Sequence, residues 1–315
     1  MENQLDGKTV YWDTNCYRHF AEVARKSSEN DVVNLFEELH EKEKNNNIQV
    51  KASYLAMSEL LTHLSDDTQS DSHKDCKLGL SLLMNHINKD LNNLMLESDD
   101  VFSLFFDAEH QINHAAYSSF FNFVLHVIEF TDEEIQNIDQ SELRKPKNYL
   151  DEKKRMWTEA FTTHILQNNF PNAYKNNSST ANYSNKTQKL FNQLKQNGDL
   201  YKLQAVGLYQ RIKKPANYLS DEYLISKTIK RFKPLFDLIY IITHHICSKN
   251  GYNFSKKEND IIDFLIVANL EPSKTTFVSN ETKKLVPRLK ELGHSNDVWT
   301  LEEYFEALNI DFPKQ

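Results

Sequence analysis

Near the N-terminus, Val10-Tyr11-Trp12 is followed at once by Asp13-Thr14-Asn15, and this run constrains the fold more than any other stretch. β-Branched and aromatic side chains favour a buried, pleated setting, whereas Asp, Thr and Asn favour turns and helix N-caps. A strand is therefore expected to stop at Asp13 and hand over to a helix. That handover sets a carboxylate at the strand's carboxyl edge, where ligands of open α/β sheets bind. Strand character recurs only in three short runs, at 48–52, 275–278 and 298–299.

Between these runs the periodicity is helical. Helices are expected over 16–25 and 31–44, the second with Val32, Val33, Leu35, Phe36 and Leu39 at helical spacing. Ser53 is placed to cap a helix over 54–64 that carries Glu59. From residue 66 to about 255 the chain reads as helices over 74–97, 100–130, 150–167, 185–196, 199–211 and 221–247, with a polar, Asn/Ser-rich loop at 168–185. The run 261–268 is apolar nearly all round and is expected to be buried. Ser279-Asn280-Glu281-Thr282 is a second strand-to-helix turn, leading into a helix over 282–292. A last helix over 301–308 is capped by Thr300 in a T-x-x-E pattern closed by Glu303. The expected class is α/β, with a domain assembled from 1–65 and 256–315 and a mostly α-helical insertion over 66–255.

Composition narrows the function classes. A net charge of −8 over 315 residues argues against a generic cationic coat for nucleic acid, although not against a local patch. Three cysteines (Cys16, Cys76, Cys247) with no C-x-x-C spacing indicate neither a disulfide framework nor a zinc ribbon. The N-terminal residues lack a signal-peptide pattern, and the most apolar run, 235–246, is broken by Asp237, His244 and His245. The expected setting is cytoplasmic, with no membrane partner. Six glycines and no phosphate-binding loop make a Gly-rich nucleotide cradle improbable. His110 and His114 have the i, i+4 spacing of a helical zinc pair, but Gln111 follows His110 and no third ligand announces itself, so these and His244-His245 read as ordinary core or surface histidines.

The acids point further. Asp13 follows the first strand, Glu59 lies on the third helix, Asp260 and Asp263 share a helix start, and Glu281 follows the later strand. Asp13 by itself is also good capping chemistry, Glu59 lies opposite the apolar stripe of its helix, and Asp260 is favourable beside a helix dipole. Together, however, carboxylates converging on one sheet edge need a cation between them, and hard oxygen ligands suit Mg²⁺ or Mn²⁺.

In sequence order, VYWDTN, SYLAMSELL, NDIIDFLIVANL and TTFVSNET resemble the four acidic motifs of the PIN-domain ribonucleases. The resemblance covers roughly residues 5–65 and 256–310. It implies a PIN-like central parallel sheet flanked by helices, and a metal-dependent endoribonuclease that leaves a 5′-phosphate and a 3′-hydroxyl. It also implies metal held by Asp13, Glu59 and Asp260, with Asp263 and Glu281 completing the site, and Asn15 and Ser279 orienting the carboxylates. Glu281 stands where the family usually has Asp. Such nucleases often serve as toxins or defence effectors, which brings in a regulatory protein partner by analogy. Between Lys202 and Lys257 there are 11 basic and 3 acidic residues with tyrosines and phenylalanines interleaved, the composition of a single-strand RNA surface as well as of a solvated basic helix face. Lys227, Lys230, Arg231 and Lys233 are the candidate RNA-backbone contacts. The rival reading is a catalytically inactive PIN-like scaffold that binds RNA or protein.

Overall fold

The computed structural model describes residues 5–108, 111–160, 180–181, 185–213, 218–247, 252–253 and 259–313. These fall into two compact units, one from within Met1–Glu97, Gln111–Leu150 and Asn269–Gln315, the other from within Ser98–His110 and Asp151–Ala268.

The first unit is α/β. Strands β1 (Thr9–Trp12), β2 (Gln49–Ala52), β3 (Thr275–Ser279) and β4 (Val298–Thr300) form a sheet of order β2-β1-β3-β4. Every neighbouring pair is parallel. All four strands lie where the short runs of Val, Tyr, Trp, Phe and Thr predict them. Strand β1 is central, so Val10, Tyr11 and Trp12 are wholly buried, as expected of a parallel strand covered on both faces. The register aligns Trp12 with Ala52 on one side and Val278 on the other. Each strand then turns at the same level, at Asp13, Ser53 and Ser279.

Helices α1 (Thr14–Lys26), α2 (Glu29–Asn45), α3 (Tyr54–Thr62) and α4 (Asp71–His86) belong to this unit. Leu80, Leu83 and Met84 of α4, and Phe121, Val124 and Val127 of the helix His114–Glu129, are buried in its core with Trp12, Tyr17 and Phe20. This draws the boundary differently from the sequence expectation, in which residues beyond 65 begin an insertion. Two helices from that stretch close the sheet's own core: α4 packs on α1 and α3, and the helix His114–Glu129 packs on α4, with Tyr117 and Phe120 against Tyr54 of α3. In turn, the apolar helix Asn259–Val267 packs with the helix Lys233–Cys247 in the second unit. Ile261, Ile262, Phe264 and Leu265 are buried there, as their all-round apolarity requires.

Beneath Trp12 lies a buried polar knot. The His86 ring is 4.4 Å from the Trp12 ring, centroid to centroid. His86 Nε2 is 2.9 Å from Glu43 Oε1, its Nδ1 is 3.1 Å from the Tyr17 hydroxyl, and the Tyr304 hydroxyl donates to Glu43 Oε1 at 2.7 Å. Three elements separated by up to 261 residues are tied through one carboxylate that is otherwise costly to bury.

Several expected helices are interrupted for local reasons. The helix expected over 74–97 ends at His86, where Asn88 and Lys89 take positive φ angles of 57° and 51°. That expected over 100–130 is two helices, Ser98–Phe105 and His114–Glu129. Asp107 adopts positive φ after the first, and the Asn113 side chain caps Ala116 N in the second. That over 221–247 breaks at Phe232 between Glu222–Arg231 and Lys233–Cys247, since Pro234 has no amide hydrogen to give the Lys230 carbonyl. The helix expected over 150–167 is Gln140–Ala160, and residues 161–167 lie outside the described residues. So does most of the loop expected at 168–185. No helix among the described residues is long and apolar enough to cross a membrane.

Candidate active site at the carboxyl edge of the sheet

In the order β2-β1-β3-β4 the chain leaves β1 toward β2 on one side and later returns to β1's other side as β3. The crevice beyond the carboxyl ends of β1 and β3 is thus the sheet's topological switch point, where open parallel sheets bind their ligands. Asp13 stands on one lip and Ser279 on the other. The register that aligns Trp12 with Val278 makes them neighbours across 266 residues of sequence.

Asp13 occupies the N-cap position of α1, yet its carboxylate makes no capping bond. Its backbone amide instead extends the strand ladder to Val278 O at 2.8 Å. The side chain is held sideways. Ser279 Oγ donates to Asp13 Oδ2 at 2.8 Å, and Asn15 Nδ2 donates to the same oxygen at 3.1 Å. Among the described residues no side-chain donor reaches Oδ1 and no cationic side chain pairs with this carboxylate. Only 7% of Asp13 is exposed. Burial pushes its carboxyl above the ordinary value and the charge of Glu281 pushes the same way, against the bonds from Ser279, Asn15 and the Thr14 backbone.

Glu59 reaches the same edge from α3. Thr14 Oγ1 donates to Glu59 Oε2 at 2.6 Å, so the residue that follows Asp13 also grips the second acid. Leu55 and Ala56, on Glu59's side of the helix, are buried, which covers the flank that periodicity alone leaves to solvent. The residue whose part goes unread in the sequence is Thr14, because nothing local in D-T-N signals a partner 45 positions away.

Glu281 behaves differently from the expected ligand. It accepts from the backbone amides of Lys283 at 2.7 Å, Lys284 at 2.7 Å and Leu285, capping the helix Leu285–Leu289. The helix starts at Leu285 and not at the expected 282. Ser279 Oγ joins the two acids, since it accepts from Glu281 N at 3.1 Å while donating to Asp13.

Asp260 and Asp263 lie half-buried on the helix Asn259–Val267, which belongs to the second unit, whereas Asp13, Glu59, Ser279 and Glu281 belong to the first. Among the described residues no three His, Cys, Asp or Glu side chains stand close enough together to hold a metal ion. Asp13, and Glu59 bound to the residue that follows it, are the carboxylates this edge offers. Such a pair suits Mg²⁺, which keeps much of its water and is commonly held by one or two carboxylates together with substrate phosphates. A buried carboxylate with one oxygen free of side-chain donors is also a group that a cation would relieve.

The basic candidates are in the second unit. Lys233 is committed to buried Asp237, 2.7 Å from Oδ2, and Arg231 lies over the Phe232 ring at 4.7 Å. Lys227 and Lys230 are exposed, and no carboxylate among the described residues pairs with either. His110 lies outside the described residues, and His114 is an exposed residue opening its helix. His244 packs against Phe191 and Tyr240. Comparison of the chain with protein-family models, curated proteins and solved structures finds no match.

Proposed function

We propose that this chain is a metal-dependent ribonuclease of PIN-like type that hydrolyses RNA with Mg²⁺ or Mn²⁺ held at the switch point of the sheet. The reading is carried by one observation: a buried Asp13 carboxylate at the crevice between β1 and β3, unspent on helix capping and oriented by Ser279 and Asn15, with Glu59 bonded to the next residue, Thr14. Asp13 and Glu59 would hold the cation. A divalent cation bound there supplies Lewis acidity toward water and phosphate. Ser279 and Asn15 keep Asp13 Oδ2 satisfied, so that Oδ1 is the oxygen left free of side-chain donors. Outer partners of this kind commonly matter nearly as much as the ligands.

RNA as the substrate draws support from the helix Glu222–Arg231. Tyr223, Lys227 and Lys230 are spaced four and three apart, hence on one face, opposite buried Ile225 and Thr228. Tyr223 is 76% exposed, an aromatic face open to a base, with cations beside it for phosphates. Lys233 is not part of this proposal, because its charge answers Asp237.

The capping role of Glu281 favours a second reading, an inactive PIN-like scaffold that binds RNA or protein without cleaving it. Cleavage of single-stranded RNA with Mg²⁺ or Mn²⁺, by wild type, Asp13→Asn and Asp260→Asn, separates the two. The ribonuclease reading expects metal-dependent cleavage that is lost in Asp13→Asn. Cleavage that persists in Asp13→Asn sinks the site, and RNA binding by the wild type without cleavage supports the scaffold. Loss in Asp260→Asn as well would bear out the third motif of the resemblance.

A further inference from the structure

The geometry points to Thr14 as a positioning residue that locks the two acids of the crevice together, an inference that rests on the metal-dependent reading of that site. Thr14 is 6% exposed and is the first residue of α1, directly after Asp13. Its hydroxyl donates to Glu59 Oε2 at 2.6 Å. One peptide unit therefore carries both the Asp13 carboxylate and the donor that holds Glu59.

Three features make this bond more than incidental packing. A hydroxyl at the start of a helix would ordinarily turn to a nearby backbone group, whereas here it crosses from α1 to α3. The β-branch of Thr restricts its χ1 rotation, so the donor is held in place rather than swept through solvent. Each acid also has one oxygen occupied by a neutral donor: Glu59 Oε2 by Thr14, and Asp13 Oδ2 by Ser279 and Asn15. Each of these bonds fixes the orientation of the carboxylate it reaches, as the outer partners of ligating groups commonly do. The spacing between the acids is thereby set by β1, α1 and one side chain of α3.

The test uses the full chain and reads Mn²⁺ affinity by electron paramagnetic resonance, with RNA cleavage and thermal unfolding measured alongside, for wild type, Thr14→Val and Thr14→Ser. Valine keeps the shape and removes the donor; serine keeps the donor and loses the methyl group. A positioning role predicts Mn²⁺ affinity weakened about tenfold or more in Thr14→Val, within the roughly 10–100-fold range typical when a ligand's hydrogen-bonding partner is removed. Thr14→Ser should restore affinity to within about threefold, a smaller loss than that range. Unchanged affinity in Thr14→Val, or equal losses in both variants, overturns the proposal, as does a wild type that binds no Mn²⁺. A wild type that binds Mn²⁺ with the predicted ranking but cleaves no RNA refutes the ribonuclease reading and leaves the role of Thr14 standing.

Discussion

The Asp13 carboxyl is held in a place that favours its protonated form. Burial raises its proton affinity, and Glu281 adds to the effect. The folded chain therefore binds this proton more tightly than the unfolded chain does. As pH rises from the ordinary carboxylate value of 3.8 through the folded value, the unfolded state gives up its proton first and stability falls. The contribution is present at low pH and lost on the way to neutrality. Asp13→Asn, permanently neutral, should then melt higher than wild type at neutral pH in metal-free buffer. The gap should close on acidification toward the ordinary aspartate value. A variant that melts lower than wild type at neutral pH would show that its bonds to Ser279 and Asn15, and not its charge, dominate. Asp13 and Ser279 could be picked out in the sequence because each follows a short β-prone run and each fits a motif. Their contact was not legible, since it depends on the register of β1 against β3. Nor was the grip of Thr14 on Glu59, which depends on how α3 meets the start of α1.

Among the elements, the helix starts at the sheet's carboxyl edge divide into those that use their acid for capping and those that do not. Asp13 leaves the start of α1 uncapped by its side chain, whereas Glu281 caps Leu285–Leu289 through consecutive amides. Glu281→Ala should accordingly cost about 1 kcal/mol in urea unfolding without any metal, the usual loss for a helix cap. Thr300→Ala should cost a similar amount, because Thr300 and Glu303 form the complete capping box at the start of Leu301–Ala307. An effect of Glu281→Ala that appears only when Mn²⁺ is present would instead make this residue a ligand. The Thr300 box was readable because T-x-x-E closes on itself within four residues. The four strands were readable for the same reason, each a compact β-prone run bounded by turn residues. Breaks such as Asn88-Lys89 and Asp107 are not legible, because residues in left-handed geometry carry no reliable local signal, and the one at Phe232 is not, because Pro234 can also open a helix.

At the scale of the whole molecule, the α/β class was legible and the partition of the helices was not. An amphipathic stripe says that a helix is buried on one side but not against what. The helices Asp71–His86 and His114–Glu129 read like their neighbours in the helical block, yet they complete the core around Trp12. The helix bearing Asp260 reads as part of the PIN-like domain, yet packs in the second unit. What the first unit offers within itself is Asp13 with Glu59, at the switch point of a parallel sheet. The most direct test of that claim is Mn²⁺ binding by wild type and Asp13→Asn at neutral pH, followed by electron paramagnetic resonance. The account predicts that Asp13→Asn binds at least about tenfold more weakly, a loss of about 1.4 kcal/mol, even though its metal-free fold is the more stable. Equal Mn²⁺ affinity in the two proteins would contradict it.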